Sequence, residues 1–204
     1  EVNAADMSMF TGTDSKAEAE KRLSLPREEQ RVVYTGHLYS WQGVDTLAKA
    51  ASLLPDYVVY LVGGTQKDVE RFKKFYGSTT NLKIVGHRPH SEIYYWQKAS
   101  DVLVLPNTAK EDISKYYTSP MKLFEYLASE RPVVASDLPS VREIVSESEV
   151  HFFTPDSEQS LAKTIESAAS DESRERLECS LIKAADHTWR KRARRILDRI
   201  NKNG

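Results

Sequence analysis

Six short stretches of this chain are nearly unbroken runs of apolar residues, rich in β-branched and aromatic types, and a helical pattern follows each of them. A strand that alternates apolar with polar residues can face water on one side, whereas a strand that is apolar throughout has to be covered on both. The runs lie at 31–35, 57–62, 82–85, 101–105, 132–135 and 150–153, and Gly36, Gly63-Gly64, Gly86 and Pro106 punctuate the first four. Helices are predicted over 44–54, 66–76, 91–98, 121–129 and 140–145, and beyond Pro155 over 157–169, 172–185 and 189–200. In the first of these, Val44, Leu47, Ala48, Ala51 and Leu54 recur at helical spacing until Pro55 stops the pattern. The alternation predicts an α/β chain: a doubly wound, Rossmann-like parallel sheet of about six strands with helices on both faces. A ligand belongs at the carboxyl ends of such strands, near the point where strand order reverses. Residues 1–30 read as a lead-in carrying a helix over 15–23, residues 31–186 as the Rossmann-like domain, and 187–204 as a basic C-terminal packing helix.

Composition narrows the functional classes. The formal charge is -1, with 29 basic and 30 acidic residues, which argues against a dedicated nucleic-acid binder. The single cysteine, Cys179, rules out an internal disulfide and a Cys-based zinc cage, and its usage suits the cytoplasm. No apolar run approaches the ~20 residues that span a bilayer. Residues 1–10 lack the basic start and apolar core of a signal peptide. The chain opens on Glu1, not Met, and reads as a piece of something longer. The five histidines show no metal-binding spacing, and neither a metal nor a cofactor is among the expectations for this chain.

The most informative segment is Ser119-Pro120-Met121-Lys122-Leu123-Phe124-Glu125. Thr118 or Ser119 suits an N-cap and Pro120 the first helical position. The amides of Met121 and Lys122 would then point out of a positive helix end, a geometry that binds anions, with the charge of Lys122 beside them. Glu125 lies on the same face one turn down, where it can accept hydrogen bonds from two ribose hydroxyls. The plainer alternative is a surface pair between Lys122 and Glu125 on an ordinary capped helix.

Other loops point to the same end of the sheet. In the 36–43 loop, Gly36 and Gly43 allow close backbone approach, and His37 can donate to a phosphate or simply sit at the surface. Trp41 either walls a cleft or covers the core, and Gly63 either admits a sugar or phosphate or only makes a turn. His87 and Arg88 follow the third strand, where backbone groups can pair with a base edge and Arg88 can stack on it, or form a plain exposed turn. The polar stretch 107–118 has the length of a binding loop; its Glu111 and Asp112 read as a solvated pair rather than catalytic acids. Trp189 to Ile196 is strongly basic, which fits a solvated helix face or attachment to the inner membrane surface.

In this order and spacing, the chain resembles the C-terminal half of GT-B fold, retaining glycosyltransferases of the family 4 type. The matching pieces include Asp6 to Phe10 as the end of an interdomain linker, Leu61-Val62-Gly63-Gly64, Val85-Gly86-His87-Arg88, Ala99 to Asn107, Ser119 to Ala128, Arg131 to Pro139 and the Trp189 helix. The resemblance implies transfer from a UDP- or GDP-sugar with retention, front-face departure of the diphosphate, no metal, and a role in surface polysaccharide or glycoconjugate synthesis. It implies ribose at Glu125, diphosphate at Met121 and Lys122, and base after Gly86. His37 and Gln42 stand where the family has a basic pair around the leaving group, and loss of such a donor costs about 3 kcal/mol of transition-state stabilisation. Tyr117, eight positions before Glu125, stands where the family's first glutamate touches the donor sugar. An N-terminal acceptor-binding half is the implied partner, without which this chain alone would be inactive. Two rival readings share the scaffold: half of a nucleotide-sugar 2-epimerase, and a non-catalytic nucleotide-binding or assembly module.

Overall fold

The computed structural model describes residues 3–4, 14–171 and 173–203, so the linker-like segment at 6–10 lies outside the described residues. Six strands, β1 (Gln30–Thr35), β2 (Tyr57–Val62), β3 (Leu82–Gly86), β4 (Val102–Leu105), β5 (Val133–Ser136) and β6 (His151–Phe153), form one sheet in the order β3-β2-β1-β4-β5-β6. Every pairing is parallel. The chain steps outward from β1 to β3, returns to β4 beside β1, and steps outward again. The β1–β4 seam is therefore the switch point.

Alternate residues of each strand feed opposite cores. Val32, Tyr34, Val59, Leu61, Val102 and Val104 face a layer built from α2 (Val44–Ala50), α3 (Gln66–Tyr76) and α7 (Glu158–Ala169). Val33, Val62, Leu103, Leu105, Val133 and Ala135 face α4 (His90–Lys98), α5 (Met121–Ala128), α6 (Pro139–Arg142) and α8 (Arg174–Asp186). This two-sided burial is the physical reason that the strands carry no polar alternation.

Several boundaries differ from the sequence expectation. The helix expected over 44–54 is α2 followed by a tighter turn at Ala51–Leu53, and the one expected over 140–145 is the four-residue α6. The helix expected over 172–185 begins at Arg174, where Ser173 accepts a hydrogen bond from the Arg176 amide. The stretch at 107–118 is not wholly irregular, because Ile113–Tyr117 forms a wide helical turn. Among the bonds that hold this loop, Thr108 Oγ1 donates to Asp156 at 2.5 Å, Ser40 Oγ to Glu111 Oε1 at 2.8 Å, and Ser140 Oγ to the Ser114 carbonyl at 2.8 Å. The last helix, α9 (Trp189–Asn203), leaves Trp189, Ile196, Leu197 and Ile200 exposed beside its arginines, so these apolar side chains are not buried against the described residues.

At the opposite end of the sheet, α1 (Lys16–Arg22) is fastened to β1. A capping box between Ser15 and Glu18 starts this helix. The fully buried Arg31 donates from Nη1 to Glu20 Oε1 at 2.7 Å, and its amide donates to Asp101, which also pairs with Lys16. Removing one partner of a buried ion pair strands the other charge, whereas replacing both with apolar groups does not. Glu20→Ala is therefore expected to cost about 3–5 kcal/mol in urea unfolding, and Arg31→Met combined with Glu20→Leu to recover most of it. A Glu20→Ala cost below about 1 kcal/mol, the scale of an exposed pair, would show that α1 is not fastened this way.

Candidate functional site

A cleft of about 1040 Å³ opens over the carboxyl ends of β1, β2 and β3 and against the first turn of α5. The structure brings Gly36, His37, Gln42, Gly63, His87, Arg88, Ser119, Met121, Lys122 and Glu125 together in its wall. Tyr117 is not in this wall; it is 80% exposed in the turn of the following loop, edge-on to Tyr116. Trp41 lines the cleft rather than closing the core.

The floor depends on two glycines. Gly36 and Gly63 adopt φ of +134° and +128°, and the Gly36 amide donates to the Val62 carbonyl at 2.9 Å. A Cβ on Gly63 would lie 2.0 Å from the Gly36 carbonyl oxygen, so the loops after β1 and β2 can only be this close without side chains.

At the tip of α5 the capping differs from the expectation. Pro120 itself occupies the N-cap, with no side-chain hydrogen bond to the first turn. Ser119 Oγ accepts instead from the Asn3 amide at 2.8 Å, Asn3 Nδ2 donates to the Ser119 carbonyl at 2.7 Å, and Thr118 Oγ1 donates to the Ile113 carbonyl at 2.6 Å. A long-range contact thus withdraws Ser119 from capping, and a local one withdraws Thr118. The amides of Met121 and Lys122 have no acceptor within the helix, and both residues line the cleft.

Lys122 leans from that tip beneath the β1 loop. Its Nζ donates to Tyr34 Oη and to Gln42 Oε1, both at 2.8 Å, and sits 4.3 Å over the Tyr34 ring. Tyr34 Oη in turn donates a hydrogen bond to the His37 carbonyl at 2.5 Å. These partners are neutral. Burial therefore pushes the ammonium down to about 7, with the negative charge of Glu125 pulling the other way. A Cβ on Gly36 would meet Nζ at 2.7 Å, so that glycine also makes room for the lysine.

Glu125, one turn below, does not form the surface pair with Lys122 that the plainer alternative requires. Its Oε2 accepts from Gln97 Nε2 at 3.1 Å, and its Oε1 lies 3.7 Å from His90 Nε2. At the far end of the cleft, Arg88 stands 3.7 Å from Glu92 and donates to the His87 carbonyl, and is 42% exposed. His37 stacks on Tyr39 with ring centroids 4.9 Å apart. Glu111 is engaged by Ser40, away from the cleft lining, and among the described residues no group of three or more His, Cys, Asp or Glu side chains gathers to hold a metal.

Sequence reasoning missed Tyr34, His90 and Gln97, and the α3 face that presents Gln66, Val69 and Lys73 to the cleft. His90 read as a loop residue because the start of α4 carries no side-chain cap. Tyr34 and Gln97 sit in patterns that read as core strand and ordinary helix.

The comparisons with known proteins agree with this architecture. TuaC of Bacillus subtilis (strain 168), named as a glycosyltransferase of teichuronic acid biosynthesis, is 28% identical over 165 residues, covering 78% of this chain and 38% of that protein. Sucrose-phosphate synthase from Thermosynechococcus elongatus superimposes with a TM-score of 0.80 at 21% identity, over 98% of this chain and 51% of that one. Anabaena HepE, solved with UDP-glucose, gives 0.79 at 19% identity, over 98% and 56%. The C-terminal domain of the group 1 glycosyl transferase LpcC from Francisella tularensis gives 0.67 at 18% identity, over 88% and 96%. At these identities the structures share a fold; the chain spans about two fifths of its curated relative and about half of the first two structures. The model of the family described as glycosyl transferases group 1 matches residues 15–188, and the chain belongs to that family.

Proposed function

We propose that this chain is the donor-binding half of a glycosyltransferase that takes a sugar from UDP- or GDP-sugar and transfers it with retention to an acceptor held by a second, N-terminal domain. The observation that carries this reading is the meeting of an uncapped helix tip, a cation and a carboxylate in one cleft at the switch point of the sheet. The diphosphate rests on the amides of Met121 and Lys122, the ribose hydroxyls donate to Glu125, and the base lies against the loop of His87 and Arg88. Lys122 and the tip amides face the charge that develops on the departing diphosphate, the place where electrostatic stabilisation contributes most. We assign no protein nucleophile, and the diphosphate leaves from the face that the acceptor attacks. HepE, with the same fold, was solved with UDP and with UDP-glucose, and the name of TuaC refers to teichuronic acid biosynthesis. Both support a nucleotide-sugar donor and a place in surface polysaccharide synthesis.

Calorimetric titration with UDP and GDP tests the assignment. At least one is expected to bind, and Glu125→Ala to weaken it about 100-fold or more, as loss of two hydrogen bonds to a charged acceptor implies. Binding of neither nucleotide, or binding indifferent to Glu125→Ala, contradicts it.

Lys122 makes that binding pH-dependent. A bound diphosphate favours the ammonium, so binding takes up a proton above pH 7 and weakens as pH rises from about 7 towards 10.5. In the ligand-free chain the folded value lies below the unfolded 10.5. The unfolded state then holds more protons across that window, and stability rises with pH from about 7 to 10.5. Lys122→Met is expected to abolish both slopes, to raise the melting temperature below pH 7, and to weaken nucleotide diphosphate binding about 10-fold or more. Parallel melting curves of wild type and variant across this range would refute it.

A further inference from the structure

We infer that Gln97 is a positioning residue for Glu125: from the buried end of α4 its amide fixes the rotation of that carboxylate, so that the remaining lone pairs face the cleft. The inference rests on the reading that Glu125 receives the ribose hydroxyls.

Gln97 is completely buried, yet its carboxamide reaches the switch point. Nε2 lies 3.1 Å from Glu125 Oε2 and 3.5 Å from Thr35 Oγ1. A carboxylate only accepts hydrogen bonds, so the amide must turn its NH₂ towards Glu125. Its Oε1 is then left buried without a hydrogen-bond partner among the described groups. A half-satisfied buried amide is a worse stabiliser than an apolar residue of the same shape. Stability alone therefore does not account for glutamine here, whereas control of Glu125 does.

The carboxylate needs that control. The terminal torsion of a glutamate is broad and roughly two-fold, so helix geometry places the carbon of the carboxyl group but not its plane. A pair of neighbouring hydroxyls must meet two lone pairs at once. Gln97 holds Oε2 from the core side. On the other side Oε1 lies 3.7 Å from His90 Nε2, whose side chain is 69% exposed, and Glu125 itself lines the cleft. The charge of Lys122, its neighbour on α5, acts on Glu125 through space. Gln97 itself does not line the cleft.

The test uses the 204-residue chain, with UDP and GDP and the 2′,3′-dideoxy analogue of whichever binds. The wild type is expected to prefer the ribose form. Glu125→Ala removes this preference. Gln97→Met, which keeps the volume and removes the donor, lowers it roughly 3- to 10-fold while leaving affinity for the dideoxy analogue and the melting temperature near wild type. Gln97→Glu sets two carboxylates together and loses the preference at neutral pH, but regains it as pH is lowered, when the shared proton restores a donor. This second variant decides the matter if the first does not fold. A preference untouched in Gln97→Met, equal loss for both nucleotide forms, or a Gln97→Glu preference independent of pH overturns the inference. A preference retained in Glu125→Ala, or binding of neither nucleotide, instead brings down the assignment of Glu125 itself.

Discussion

The hydroxyl of Tyr126 ties β1 to α5, and the cleft depends on that tie. It accepts from the Thr35 amide at 2.8 Å, lies 3.1 Å from Thr35 Oγ1, and contacts the Thr35 carbonyl at 3.3 Å, all in the interior. Thr35 is the last residue of β1, and Gly36 begins the loop that covers Lys122. Tyr126 follows Glu125, so one buried contact sets the height of the helix tip, its lysine and its carboxylate relative to the sheet edge. Gln97 reaches the same threonine from α4. Three elements distant in sequence therefore converge on the switch point, where a parallel sheet leaves room for a ligand.

The electrostatics of the cleft follow from how little fixed charge it contains near that point. There, His37 offers its backbone carbonyl to Tyr34, and Gln42 offers its side-chain oxygen to Lys122. The lysine is thus held by neutral acceptors in a desolvated place, and its ammonium is costly until an anion arrives. The uncapped amides at the α5 tip are in the same condition, because Pro120 and the Asn3–Ser119 contact deny them an internal partner. Both features are unfavourable for the empty domain and favourable for an anionic ligand. On the proposed function, this is the usual relation between stability and activity.

Much of the architecture was legible in the residues. Val32 to Tyr34, Tyr57 to Val62 and Val102 to Leu105 are apolar on both sides because helices cover both, and that pattern has no other economical explanation in a chain of this length. That Lys122, Glu125, Gly36, Gly63 and His87 gather at one edge was legible as well, because glycines and a proline-led helix mark the loops at the carboxyl ends of the strands. The capping of α5 was not. Ser119 has the right chemistry for an N-cap, but a residue 116 positions earlier claims it. Gln97 and Tyr34 were hidden for a related reason: one sits in a helix and the other in a strand whose local patterns are satisfied without reference to the site.

By itself, then, the sequence determined the order of strands and helices, the two-sided burial of the sheet, and which loops gather at its carboxyl edge. These follow from periodicity and from the steric demands of glycine and proline, both local properties. Only the tertiary structure decided that Lys122 bends under the β1 loop onto Tyr34 and Gln42, and that Glu125 is held from behind by Gln97. Those outcomes depend on which buried polar groups find partners after the layers have packed, and that competition is settled between residues dozens of positions apart.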